Sequence, residues 1–189
     1  FSIKGGTKQM SGSTFQLPIH FGNYTIRSVT LEDIERVYLM RKSVATESET
    51  VLSSPDEITL DGMSNWIKNW LGLEKRLFLV VEFNNELIGQ LWVWFMDGKK
   101  KTSHVAELGL EILSSHRGFG LGTKLTEIAL LWAKEKGAIR LEAETLEKNL
   151  PMRKILLKLG FEEEGKKRWY IRVGNVFENS IIYGKILNN

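Results

Sequence analysis

The sequence predicts a single-domain α/β fold, a mixed and mostly antiparallel sheet flanked by helices in the order βααβββαβαββ. Three observations carry this expectation. Runs of β-branched and aromatic residues at 77–83, 87–96 and 103–113 are joined by the turn residues Asn84-Asn85 and Asp97-Gly98, which is the pattern of an antiparallel meander. An amphipathic run at 121–136 lies between two strand-like segments and calls for a parallel crossover. The chain then closes with a hairpin around Gly174-Asn175. With 189 residues and 42% hydrophobic content the chain can bury one core, and no composition shift marks a second domain.

Residues 1–20 are rich in Gly, Ser, Thr and Gln without periodicity, and read as a flexible extension ahead of a domain at 21–189. A short strand is expected at 24–29. Thr30 and Asp33 look like a capping pair that opens a helix with Leu31, Ile34, Val37 and Tyr38 on its apolar stripe. Ser54-Pro55-Asp56-Glu57 reads as a second helix start, with proline at the first helical position and acids in the first turn. Trp66, Ile67, Trp70 and Leu71 follow at helical spacing, either as core or as the wall of an acceptor cleft. After the meander, Leu125, Ile128, Ala129 and Trp132 form the buried stripe of the long helix, which stops at Gly137. A strand at 138–145, a helix at 150–159 and hairpin strands at 168–173 and 176–186 complete the order.

The most informative segment is Arg117-Gly118-Phe119-Gly120-Leu121-Gly122, with glycines on alternate positions between a strand and a helix. Glycine admits positive φ and close approach of the backbone, and the first turn of a helix offers unpaired N–H groups, so the segment suits a phosphate or pyrophosphate. A P-loop is excluded, because Thr123 stands where its second glycine belongs and Gly122 is followed by Thr123-Lys124. A dinucleotide fingerprint is excluded by Thr123 or Leu125 at its last glycine position. Arg-x-x-Gly-x-Gly remains.

Downstream, Asn149 opens a short helix ending in Leu159-Gly160-Phe161, with eleven positions from Asn149 to Gly160. Together the two motifs resemble the acyl-CoA loop and following helix of the GNAT superfamily of N-acetyltransferases, over roughly 24–187. The Glu-Glu-Glu-Gly run after Phe161 resembles the branch that modifies ribosomal-protein N-termini and polyamines. The resemblance implies a sheet whose parallel pair splays to admit the pantetheine of acetyl-CoA. It places cofactor contacts on Leu110, Glu111 and Ile112, in a strand expected to bulge near Gly109, on the loop residues Arg117, Gly118, Phe119, Gly120, Leu121 and Gly122, and on Asn149. Asn149 could equally cap the helix.

Acyl transfer to an alkylamine needs a base, since an amine with pKa near 10.4 is neutral only about once in ~10³ to 10⁴ molecules at pH 7. Glu107 and Glu111 share a strand face, and Glu144 stands five residues before Asn149, the spacing of the catalytic glutamate in the ribosomal-protein branch. Glu111 and Glu144 are taken as the catalytic candidates; each has an alternative reading as a solvated or salt-bridged strand residue. Leu156 stands where the family often has a tyrosine acid, which leaves Tyr170, Tyr183, water or no acid. The three histidines are isolated and no metal motif occurs, so no metal is expected.

Cysteine is absent, which excludes disulfides and the usual thiol nucleophile, and favours direct transfer in a ternary complex. No apolar run reaches membrane-spanning length and no signal segment is evident, so a cytoplasmic protein without a membrane partner is expected. The net charge of +3 is scattered and no nucleic-acid motif accompanies it, so no nucleic acid is expected. The sequence thus reads as an acetyl-CoA-dependent N-acetyltransferase acting on a small-molecule or peptide amine, with a silent acyl-CoA-binding regulatory module as the alternative and a homodimer left open.

Overall fold

Side chains in a strand alternate between faces, and in Glu86–Phe95 (β4) both faces are mostly apolar or aromatic. Leu91, Val93 and Phe95 join the larger core, while Trp92 and Trp94 meet tryptophans of a helix on the opposite side. A strand of this kind must be covered twice, which fixes a three-layer arrangement. The computed structural model of the chain describes residues 15–187. Its single sheet has 8 strands in the order β1-β2-β3-β4-β5-β6-β8-β7. These are β1 (Ile19–Phe21), β2 (Tyr24–Ser28), β3 (Arg76–Phe83), β4, β5 (Val105–Ile112), β6 (Arg140–Leu146), β7 (Glu162–Val173) and β8 (Val176–Ile186). One face carries α1 (Ile34–Glu47) and α2 (Leu60–Trp70), packed through Val37, Met40, Met63 and Ile67 on Phe78, Val80 and Leu87. The other carries α3 (Leu121–Glu135) and α4 (Leu150–Lys158), whose Leu125, Ile128, Trp132 and Leu156 share a core with Leu79, Leu141 and Tyr183.

The expected order is present, with differences at its edges. Strand β1 begins inside the segment read as an extension, and Phe15, Leu17, Ile19 and Phe21 pack against the core. The remainder of that segment, 1–14, lies outside the described residues. The second helix starts at Thr59, whose Oγ1 accepts from the Gly62 N–H at 3.1 Å. Ser54 and Glu57 instead close a local turn, with Glu57 N–H bonded to the Ser54 carbonyl and Glu57 Oε2 returning to the Ser54 N–H. That reciprocal pair satisfies the same groups a helix start would, so the sequence signal was real but local. Strand β7 begins at Glu162 rather than 168, because as an edge strand it tolerates the charged run Glu162 to Arg168 that looked unlike a strand.

The parallel pair is the feature that shapes the site. β5 and β6 pair from Val105 opposite Arg140 to Leu108 opposite Ala143, and no farther. Beyond that rung β5 continues against β4 and β6 against β8, so the two strands part. The bulge expected near 109–112 is absent: β5 keeps unbroken register with β4 from Ala106 opposite Phe95 to Ile112 opposite Gly89. Gly109 has a different cause. A Cβ there would lie 2.4 Å from the Trp92 indole, so glycine makes room for the ring to lie across the strand.

The entry to α1 is pinned by charge. Buried Asp33 accepts from Arg27 Nη1 at 2.7 Å and Nη2 at 2.9 Å, from Arg36 at 3.2 Å and from the Thr30 N–H at 2.9 Å, completing the capping pair seen in the sequence. Burial pushes the Asp33 carboxyl up, but the Arg27 guanidinium and the Thr30 N–H outweigh it and hold the group at about 2. A depressed folded-state pKa gives stability that is complete above the unfolded value of roughly 3.9 and is lost as pH falls through about 2. The shift corresponds to about 2 kcal/mol. Urea titrations at pH 5 and pH 2 should show Asp33→Asn losing less stability on acidification than the unaltered protein by about this amount; equal acid losses would reject the assignment.

Candidate active site

Strand geometry decides which backbone groups face the gap between β5 and β6. The Leu113 N–H bonds the Ile88 carbonyl and the Val105 carbonyl receives the Met96 N–H, so odd-numbered residues of β5 point their backbone toward β4. Alternation turns the N–H and C=O of Leu110 and Ile112 toward the gap, where β6 has left. The backbone of Glu111 faces β4. Arg117 Nε donates to the Ile112 carbonyl at 2.9 Å, so this loop residue contributes its side chain to the edge of the gap.

The loop below the gap is held on both sides. Ser114 N–H donates to Glu47 Oε2 at 3.0 Å, tying the end of α1 to the loop entry and holding the Glu47 carboxyl below its ordinary range. His116 is seated by the Tyr24 hydroxyl at 3.1 Å and by the rings of Tyr24 and Phe83. Gly118 and Gly120 adopt φ of 83° and 85°, which the backbone needs to turn twice before the helix. Leu121, 1% exposed, anchors the first helical position in the core, while Phe119 stands 65% exposed between the glycines. A Cβ on Gly122 would lie 2.9 Å from Ile155 Cδ1, so this glycine sets the close approach of α3 to α4. The N–H groups of Leu121, Gly122 and Thr123 have no intrahelical acceptor and give the loop its partial positive charge.

Acidic side chains line the face of the sheet under α1 and α2. Glu111, 8% exposed, receives Gln90 Nε2 at 2.6 Å and faces Arg41 at 3.3 Å. Arg41 in turn lies over the rings of Trp66 at 4.9 Å and Trp92 at 5.8 Å. Burial raises the Glu111 carboxyl, against the pull of Arg41 and Gln90. Glu144 Oε2 takes Lys167 Nζ at 2.6 Å and its Oε1 takes Ser180 Oγ at 2.6 Å. Glu107 sits opposite Glu142 on the second-last paired rung. Burial, then the charges of Glu142 and Glu144, raise its carboxyl, and among the described residues it has no hydrogen-bond or ion-pair partner.

Asn149 caps α4: its Oδ1 accepts from the Met152 N–H at 3.4 Å and its Nδ2 donates to Thr145 Oγ1 at 3.0 Å. Leu156 is fully buried. Tyr183 is equally buried, with its hydroxyl accepting from Arg153 Nε at 2.9 Å and donating to Glu163 at 3.3 Å, and Tyr170 is exposed on β7. The structure therefore brings the loop, Leu110 and Ile112 to one gap, with Glu107 on the second-last rung before it opens. Glu111 and Glu144 lie on its acidic face with their carboxylates engaged, and Asn149 is spent on the helix. Sequence reasoning missed Arg41, Gln90, Trp92, Lys167 and Ser180, which reach the face from distant elements. Only Gly109 signalled any of them, as the notch for Trp92.

A parallel pair that parts above a glycine-turned helix N-terminus defines the class. A model of the acetyltransferase (GNAT) domain matches residues 23–162, and the chain belongs to that family. It is 27% identical over 164 residues to a Bacillus subtilis (strain 168) protein provisionally named as a ribosomal protein bS18-alanine N-acetyltransferase, spanning 86% of this chain and 95% of that one. Among solved structures, a GNAT-family acetyltransferase from Streptococcus pneumoniae superposes with a TM-score of 0.80 at 21% identity, over 87% of this chain and 99% of that one. A phosphinothricin acetyltransferase of the GNAT superfamily from Sinorhizobium meliloti, solved with AcCoA, gives 0.78 at 14% identity, over 88% and 89%. These likenesses fix the fold.

The Trp92 notch can be checked directly. Gly109→Ala places a methyl group inside van der Waals contact of the indole, and should cost about 1–3 kcal/mol in denaturant unfolding with a shift in tryptophan fluorescence. An unchanged midpoint and spectrum would mean that Trp92 does not occupy the notch in solution.

Proposed function

We propose that this acetyltransferase passes the acetyl group of acetyl-CoA directly to the α-amino group of a protein N-terminus, with Glu107 as the base. The observation that carries the reading is the gap itself: backbone of Leu110 and Ile112 that β6 no longer pairs along one side, the glycine loop at its mouth, and, at its closed end, a carboxylate without a partner among the described residues. The residues present fit the cosubstrate. The N–H groups around Gly118, Gly120, Leu121 and Gly122 suit its pyrophosphate, and Leu110 and Ile112 offer the bonds of a missing strand to its pantetheine amides. Arg117 and Asn149 hold the neighbouring backbone in place. Bound acetyl-CoA supplies the acyl group and a thiolate leaving group.

A thiolate with pKa near 8.5 departs without an obligatory acid, which accounts for an apolar Leu156. The protein's own task is to take a proton from the acceptor. A peptide α-ammonium with pKa near 7.7 is already neutral in roughly one of six molecules at pH 7, against one in ~10³ to 10⁴ for an alkylammonium. A carboxylate raised by burial and by Glu142 and Glu144 is better matched to that proton than an ordinary one. Glu111, neutralised by Arg41, serves to hold the α1 side of the cleft, and Glu144 serves to attract the cationic acceptor. The likeness to the Bacillus subtilis relative supports a protein N-terminus as acceptor.

Free-thiol release should be measured with alanine-terminated peptides, spermidine and an aminoglycoside, alongside calorimetric titration of CoA. Release with the peptides supports the reading; tight CoA binding with no acceptor would favour the silent module. Glu107→Gln should lower kcat by ~10²-fold with CoA affinity within about twofold. Full activity in Glu107→Gln combined with a loss in Glu144→Gln would transfer the base to Glu144. Gly120→Trp, which puts a large side chain at φ 85° beside Phe21, should abolish CoA binding.

A further inference from the structure

Lys167 already occupies a cation site where the two strands begin to part. Its Nζ lies 2.6 Å from Glu144 Oε2 and 4.3 Å from the centroid of the Tyr170 ring. The other carboxylate oxygen of Glu144 is fixed by Ser180 Oγ at 2.6 Å, from a serine only 1% exposed. A carboxylate oriented by a buried hydroxyl, with an aromatic face beside it, is a donor set that recognises an alkylammonium or guanidinium.

Three observations separate this arrangement from an ordinary surface ion pair. Glu144 is the first residue of β6 beyond the last rung shared with β5, on the same face as Glu107. The charge of Lys167 reaches Glu107, whose raised carboxyl it pulls back down against burial, Glu142 and Glu144. Finally, Lys167 is the last residue paired with β8 before a register break that runs to Ile171. Tyr170 lies within that break, as does Trp169, held at φ 52° with its N–H on Asn179 Oδ1. The long side chain of Lys167 can therefore leave Glu144 without disturbing a regular ladder.

We propose that Glu144, Ser180 and Tyr170 form an acceptor subsite for a second positive charge, filled by Lys167 in the free enzyme and taken over by the acceptor's own cation. The proposal rests on the N-acetyltransferase reading above and deepens it. The reacting amine goes to Glu107, and a lysine or arginine side chain next to it, or the second nitrogen of a polyamine, goes to Glu144. Acceptors with two positive charges are then preferred over those with one, and an acidic residue beside the reacting amine is rejected because it would face Glu107, Glu142 and Glu144 together.

The test compares two peptides that share an N-terminal alanine and differ only in arginine or glutamine at the second residue. Lys167→Ala should raise the arginine-over-glutamine ratio of kcat/KM by ~3- to 5-fold, the range of a partly exposed ion pair. Adding Glu144→Gln to Lys167→Ala should return the ratio toward one. The acid limb of the kcat/KM profile should also move to higher pH in Lys167→Ala, since Glu107 loses the neighbouring cation. Equal effects on both peptides, or an unmoved ratio, would overturn the proposal. Arginine amide, titrated by NMR, reads the subsite without turnover and should bind more tightly to Lys167→Ala than to the unaltered enzyme. Should neither peptide be acetylated, the acceptor reading falls, and arginine amide still decides the subsite: unaltered binding rejects it.

Discussion

The site depends on two parallel strands that stop pairing while both continue. β5 and β6 share the rungs from Val105–Arg140 to Leu108–Ala143, and each then keeps only its outer partner. Backbone polar groups in a sheet interior must be satisfied, so an opened pair is stable only where something else reaches it. Arg117 does so for the Ile112 carbonyl, and a bound strand-like molecule would do so for the rest. The opening survives because both flanks are rigid: β5 runs in unbroken register along β4, and β6 lies against β8. The helices then fix what surrounds it, α3 presenting its N-terminus to the mouth and α1 tying the loop entry through Glu47.

The two faces of the sheet divide the work. The α3–α4 face is almost wholly apolar, with Leu121, Leu125, Leu156 and Phe161 buried in one core, so it supplies rigidity. The α1–α2 face mixes tryptophan with charge. There Glu111 is compensated by Arg41 and Gln90, Glu142 by Arg140, and Glu144 by Lys167 and Ser180. Of these four, Glu107 is the one without a hydrogen-bond or ion-pair partner among the described residues. Burial raises both Glu107 and Glu111, but Glu111 has Arg41 and Gln90 to offset it, while at Glu107 the charges of Glu142 and Glu144 add to the burial. Gly184 shows how tightly this charge lattice is built: a Cβ there would fall 2.4 Å from Arg140 Nη2 and 2.5 Å from Glu164, so the ion pair between β6 and β7 crosses β8 over a glycine.

The glycine loop, the long helix with Leu125, Ile128, Ala129 and Trp132, the meander and its Asn84-Asn85 turn, and the Thr30–Asp33 capping pair were all legible in the sequence. Each is a short-range pattern, in which residue type at a fixed offset meets a backbone need: φ is 49° at Asn84 and 65° at Asn85, as the turn demands. Where the reading went astray, a local signal had a local meaning. Ser54 and Glu57 closed a turn instead of a helix, and Gly109 served a side chain from the next strand instead of a bulge. The charged start of β7 was missed because edge strands do not follow the alternation of half-buried ones.

By itself, then, the sequence determined the order of elements, the glycine-turned loop ahead of α3 and the set of candidate glutamates, because these follow from periodicity, turn chemistry and spacing along one stretch of chain. Only the tertiary structure decided which glutamate lacks a partner among the described residues. Glu107, Glu111 and Glu144 look alike in sequence, and they are told apart by Arg41 from α1, Gln90 from β4, Lys167 from β7 and Ser180 from β8. The proton affinity of a carboxylate is set by the charges and burial around it, and those come from residues far away in the chain.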